Sequence, residues 1–260
     1  MAAPTYLDAI LARHRARAQA DTRRLELLIE EARSCPPVRG FTAALRSAGR
    51  LAVIAEIKRR SPSKGDLNAG LDPALLARTY EAAGATCLSV LTDSEHFGGS
   101  VDDLQAARAA CTLPVIRKDF TVDARDVCDA RIMGADCVLL IAAALTRAEL
   151  TGFLAVAHDV GIDALVETHD EAEIDAAVAA GATLIGVNQR DLITFEVDHA
   201  RAVRVAPHIP ATSVRVAESG VRGRADAQSL RAAGYDAVLV GEHLVTSADP
   251  AAALRDLLVD

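Results

Sequence analysis

"RIMGADCVLLI", residues 131–141, compresses a helix end, a glycine and an apolar strand into one short stretch. Three other stretches repeat it: "EAAGATCLSVL" from residue 81, "AVAAGATLIGV" from 177 and "LRAAGYDAVLV" from 230. The shared glycines are Gly84, Gly134, Gly181 and Gly234. A glycine just past a helix takes up the left-handed turn that stops it. The repeat spacing is close to 50 residues, which is the length of two strand–helix units rather than one.

The intervening strands follow from that spacing. They are 51–57 "LAVIAEI", 114–117 "PVIR", 162–167 "IDALVE" and 214–218 "VRVAE". With 86–91, 136–141, 183–187 and 236–240 they make eight. Each precedes an alanine-rich helical stretch, at 72–83, 100–110, 123–133, 146–159, 170–180, 198–206, 222–233 and 249–258. Asp72-Pro73 and Asp249-Pro250 each pair a helix cap with a proline in the first turn. Short apolar strands alternating with helices pair in parallel. Eight such units in 260 residues predict an α/β fold, the closed (β/α)8 TIM barrel. An open doubly wound sheet would want a GxGxxG after its first strand, and none is there.

The barrel is expected over residues 50–260, with 1–49 a helical extension of the same single domain. Pro4-Thr5 starts a long helix in this reading, with Leu7, Ile10, Leu11, Leu25, Leu28 and Ile29 on its apolar face. Pro36-Pro37 ends it, and "GFTAALRSAG" forms one more short helix.

The net charge of −8 argues against nucleic acid or a bilayer as partner. Cys35, Cys87, Cys111, Cys128 and Cys137 show neither a CxxC nor a zinc spacing, and a reducing compartment fits them. No apolar run approaches the ~18 residues of a membrane span. The protein is expected to be cytoplasmic, a monomer or weak homo-oligomer. The histidines form no HxH or HExxH, so no metal is expected. Only His169, close to Glu167, draws notice, and a helix-capping role is the plainer expectation for it.

Chemistry on this fold belongs at the carboxyl ends of the strands. The sequence places polar residues there: Glu56 and Lys58 on strand one, Lys118 on strand three, Glu167 on strand five. Asn188 and Arg190 close strand six, Glu218-Ser219-Gly220 strand seven and Gly241 strand eight. Of the 28 basic residues only Lys58, Lys64 and Lys118 are lysines; the other 25 are arginines. All three lysines fall at or just after a strand end. Arginine stays protonated, whereas burial or a neighbouring cation lowers a lysine's pKa. Lys58 and Lys118 are therefore read as proton donors. Gly220 and Gly241 lie in the loops where such barrels hold phosphate on bare amides. The carboxylate of Glu242 is expected to turn away from such an anion. Phe97 and Phe120 sit in loops at the mouth, where they offer faces for an aromatic ring.

The ordered series "IAEIKRRSPSKGDL", "LSVLTDSEHFGGS", "PVIRKDF", "ALVETHD", "IGVNQRDL", "VAESGV" and "VLVGEHL" resembles the indole-3-glycerol phosphate synthases. That resemblance implies a decarboxylating ring closure and dehydration in tryptophan biosynthesis. The substrate is 1-(2-carboxyphenylamino)-1-deoxyribulose 5-phosphate, a phosphorylated small molecule, and no cofactor or metal is needed. It implies Lys118 as general acid, Glu167 as catalytic base, and Glu56 and Lys58 as further members of the catalytic set. Asn188 and Glu218 orient the lysines and the sugar hydroxyls. Ser61, Arg190 and Ser219 line the site, and Phe97, Phe120, Leu139 and Leu239 cradle the anthranilate ring. Lys58, Gly220, Gly241 and the amide of Glu242 bind phosphate. Gln189 and His243 depart from the usual pattern. The same resemblance makes residues 1–49 a cover for the pocket, whose deletion should harm binding more than folding. Two other enzymes fit a lysine-bearing barrel: a Schiff-base aldolase and a phosphoribosylanthranilate isomerase. A phosphate-ligand-binding barrel without turnover is the non-enzymatic alternative.

Overall fold

Apolar strands that face helices on one side and each other on the other have no exposed edge to tolerate, and closure removes the last one. The computed structural model describes residues 5–260. Its eight barrel strands are Ala52–Ile57, Cys87–Leu91, Val115–Lys118, Cys137–Ile141, Asp163–Thr168, Leu184–Asn188, Val214–Glu218 and Ala237–Val240. Each pairs in parallel with its chain neighbours, and the first closes on the last with Ala52 opposite Ala237. Each boundary lies within a residue of the sequence reading. Gly84, Gly134, Gly181 and Gly234 have φ of 99°, 99°, 93° and 90°. They precede the second, fourth, sixth and eighth strands, so the period of two units is a property of the fold.

Two layers of core follow from the strand period of two. Val53, Ala55, Leu88, Val138 and Val166 face outward into the helices. Ala52, Ile54, Cys87, Ile116, Cys137, Leu139, Leu165, Val214 and Val216 face the barrel axis. The helices run over Pro73–Ala83, Val101–Ala110, Ala124–Ile132, Arg147–Val160, Glu171–Ala179, Arg201–Val205, Arg224–Ala232 and Pro250–Asp256. Asp72 and Asp249 cap theirs as their sequences require.

The extension corrects the sequence reading. One long helix was expected; there are two, α1 (Tyr6–Ala20) and α2 (Leu25–Ser34). Neither glycine nor proline separates them. Asp21 is extended, and its carboxylate accepts the backbone N–H of Arg23 at 2.9 Å. The break allows α1 to lie along the rim while α2 descends the outside of the barrel. A third helix, α3 (Phe41–Arg46), puts Phe41 and Leu45 into the axial core. Phe41 has no exposed surface. Residues 41–46 are therefore partly core, so a deletion of residues 1–49 also takes Phe41 and Leu45 from the barrel floor.

Candidate active site

The axial face changes character with height. Ile54 is followed two residues on by Glu56, Ile116 by Lys118, Leu165 by Glu167 and Val216 by Glu218, so each strand delivers its charge to one ring above an apolar floor. A cavity of about 520 Å³ opens there. Every residue named from the sequence as catalytic, substrate-binding or phosphate-binding lines it.

Lys118 is the hub. Its Nζ donates to Glu167 Oε2 at 2.7 Å and lies 3.3 Å from Glu218 Oε2. Asn188 Nδ2 donates to Glu167 Oε1 at 3.1 Å, and Asn188 Oδ1 accepts the amide of Arg190 at 3.0 Å. Beside them Lys58 Nζ pairs with Glu56 Oε1. Ser89 Oγ donates to Glu56 Oε2 at 3.4 Å.

The ring holds three carboxyl groups and two ammonium groups, nearly all withdrawn from water. Burial pulls the Lys118 pKa down, but Glu167, Glu218 and Glu56 outweigh it and raise the pKa above that of an ordinary lysine. This reverses the sequence expectation, since the neighbours are anions and hold the ammonium in place. Burial raises the Glu167 carboxyl, and Lys118 with His169 overrides this and holds it well below the usual carboxylate range. Glu218 is pushed the other way, to about 7, by burial and by the charge of Glu167. Burial and the neighbouring anion thus favour a proton on Glu218 over one on Glu167.

Beyond the hub, Leu139 and Leu239 form the floor, and Phe97 and Phe120 form a wall with ring centroids 6.3 Å apart. Ser219 and Gly220 both lie in the left-handed region, at φ of 66° and 74°. For serine that conformation is costly. Gln189, one of the departures, secures it by donating Nε2 to the Ser219 carbonyl at 2.8 Å. His243, the other departure, lines the cavity. Glu242 gives its carboxylate to Lys64 and to Arg190, whose Nη2 lies 3.6 Å away. The Ser61 hydroxyl is buried without a partner.

Several contributors escaped the sequence reading. Gly186 has no room for a side chain: a Cβ there would fall 2.1 Å from Glu218 Oε1. A glycine inside a strand was the available signal. Gly241, named from the sequence for phosphate, also gives up its side-chain space to Glu56 Oε1, at 2.2 Å. His14 of α1 is buried between Asp93 and Asp119, with Nε2 3.3 Å from Asp93 Oδ2 and 4.0 Å from Asp119 Oδ1. Its ring packs on Phe120 at 5.4 Å. No described residue of α1 lines the main cavity; the helix props the loops around it.

A closed parallel barrel whose strands gather lysines and glutamates at their carboxyl ends defines a barrel enzyme working by acid–base chemistry. The family model described as indole-3-glycerol phosphate synthase matches residues 7–257. The chain is 50% identical over 258 residues to indole-3-glycerol phosphate synthase 2 of Streptomyces coelicolor, covering 97% of this chain and all of that one. It is 50% identical over 260 residues to indole-3-glycerol phosphate synthase of Mycolicibacterium vanbaalenii, covering 99% of this chain and 95% of the relative. The chain belongs to the indole-3-glycerol phosphate synthase family, enzymes of tryptophan biosynthesis. A crystal structure of 3-hexulose-6-phosphate synthase superposes with a TM-score of 0.62 at 16% identity, over 80% of this chain and 98% of that one. That likeness concerns the fold alone.

Proposed function

We propose that the chain converts 1-(2-carboxyphenylamino)-1-deoxyribulose 5-phosphate to indole-3-glycerol phosphate, carbon dioxide and water. Family membership supports the reaction. The observation that carries its assignment to particular residues is Lys118 Nζ, held between Glu167 at 2.7 Å and Glu218 at 3.3 Å above an apolar floor.

Ring closure asks an electron-rich aromatic carbon to attack a ketone, whose oxygen gains negative charge. Lys118, kept as an ammonium, is the cation for that oxygen and then its proton donor. A raised pKa is no obstacle, because an alkoxide is far more basic than any amine. Loss of carbon dioxide restores the ring. Dehydration then needs a base and a second acid. Glu167, kept ionised, is the base; Lys58, paired with Glu56, is the second acid. Glu218, 3.3 Å from Lys118, orients the ammonium and, through it, the sugar hydroxyls. Asn188 fixes Glu167. Lys58 and the amides of Gly220, Gly241 and Glu242 hold the phosphate, with Ser61, Ser219 and Arg190 beside them. Phe97, Phe120, Leu139 and Leu239 enclose the anthranilate ring.

We place the enzyme in a reducing, cytoplasmic setting. Its five cysteines are free, and among the described residues no helix is long and apolar enough to cross a membrane. The decisive experiment mixes purified protein with the carboxyphenylamino ribulose phosphate and follows indole fluorescence and released carbon dioxide. Fluorescence without carbon dioxide, or a borohydride-trapped adduct on Lys118, overturns the assignment.

A further inference from the structure

Glu167 depends on Lys118 for its charge, and the proposed chemistry takes Lys118 away. Glu167 is 2% exposed, and its shortest ionic contact is the 2.7 Å bond from Lys118. When Lys118 turns to the substrate oxygen, a buried carboxylate is left with Asn188, a neutral donor. A buried carboxylate without a cation takes up a proton from its surroundings. It would then no longer serve as a base.

One further group faces it. His169, two residues beyond Glu167, points Nε2 to within 3.7 Å of Glu167 Oε1, on the side away from Lys118's bond to Oε2. That Nε2 is buried and has no hydrogen-bond partner. The opposite ring nitrogen is fixed: Nδ1 lies 3.0 Å from Glu173 Oε2, which also accepts the His169 backbone N–H at 2.8 Å. Glu173 is held in turn at the first turn of its helix, where its amide donates to Asp170 Oδ1 at 2.8 Å. The imidazole is thus aimed, and aimed at the base. A cap alone would leave Nε2 facing water.

We propose that His169, oriented by Glu173, is a positioning residue that keeps Glu167 ionised while Lys118 is engaged with substrate. This rests on the assignment of Glu167 as base. The charged groups around the imidazole are Glu173 and Glu167, which favour its protonated form, and Arg201 of the helix at 201–205, which opposes it. The two carboxylates prevail, and despite burial the pKa of His169 is raised.

The test uses the full chain and the carboxyphenylamino ribulose phosphate, with pH profiles of kcat and kcat/KM for wild type, His169→Asn and Glu173→Gln. The acid limb of kcat reports the substrate-bound enzyme, in which Lys118 has left Glu167, whereas kcat/KM reports the free enzyme. In His169→Asn the acid limb of kcat should rise by roughly one pH unit, about tenfold less turnover on that limb. Above the limb turnover should stay near wild type, and the limb of kcat/KM should move less. Glu173→Gln should shift kcat the same way by a smaller amount. Unmoved limbs in both folded variants overturn the proposal. So does an equal loss at every pH together with a lower melting temperature, since that is a purely structural role. If His169→Asn does not fold, Glu173→Gln decides alone. Glu167→Gln separates this result from the assignment beneath it. If that variant turns over normally the base is misassigned; if it is inactive and the limbs stay put, only the role of His169 fails.

Discussion

The two ends of the barrel are built from the same strands and obey opposite rules. At the floor, Ala52, Ile54, Ile116, Val214 and Val216 pack with Phe41 and Leu45 into an apolar plug. At the mouth, the next inward positions carry Glu56, Lys118 and Glu218. The floor lowers free energy by removing apolar surface from water. The mouth raises it by removing charges, and burial beside Glu167 raises the pKa of Glu218. A strand of four to six residues spans both regimes, so stability and chemistry are separated by one step of the pleat.

The largest effect expected belongs to the mouth. Lys118→Met should lower turnover on the order of 10³-fold or more while the thermal melt stays near wild type. A melt that collapses with activity would show that the hub is also a structural keystone and would break the contrast. The floor should answer in reverse. Phe41→Ala removes a fully buried ring and should cost about 3–5 kcal/mol in denaturant unfolding. The kcat of the folded fraction should be nearly unchanged.

Gly186→Ala tests how sharp the boundary is. The new methyl falls on a movable carboxylate, with Leu165 Cδ1 3.3 Å away. It should displace Glu218 and lower turnover roughly a hundredfold, for about 1 kcal/mol or less of stability. The smallest effect expected is a gain. The folded-state pKa of Glu218 is raised to about 7. Its unfolded value lies near ~4.3. Wild type therefore loses stability as pH rises through that interval, because the unfolded chain gives up the proton more readily. Glu218→Gln does not titrate. Its stability relative to wild type should improve between pH 5 and pH 8 by about 2.5 kcal/mol, with lower activity. A gap that does not change with pH would show that the carboxyl is already ionised.

Most of this was legible in the chain. The glycines at 84, 134, 181 and 234 mark helix ends because a left-handed turn there excludes a side chain, and the strands follow from them. Strand ends carrying Glu56, Lys118, Glu167 and Glu218 place the site, because the period of two fixes which residues look inward. Three features were out of reach. The break between α1 and α2 lies at Asp21–Arg24, where no helix-breaking residue stands; tertiary docking on the rim and the barrel side imposes it. The need for glycine at 186 depends on a carboxylate 32 positions later. The direction of the Lys118 shift depends on carboxylates from three other strands, which no local pattern reveals. The choice of lysine over arginine also reads differently with the structure in hand. A compact ammonium fits between two carboxylates and can leave them for a substrate oxygen, whereas a bidentate guanidinium would be held fast.

The loop after the first strand is fastened unequally. At its root Arg59 grips Asp103 through two nitrogens, at 3.1 and 2.8 Å, and reaches the carbonyls of Ala69 and Leu71. At its tip, in the small hairpin of Arg60–Ser61 and Gly65–Asp66, Lys64 reaches over the mouth to Glu242 in a partly exposed pair. Such an exposed pair is worth about 0–1 kcal/mol, a population bias of roughly fivefold at most. The rim over the mouth is thus held firmly by Arg59 and weakly by Lys64, and replacing Lys64 alone should cost the fold little.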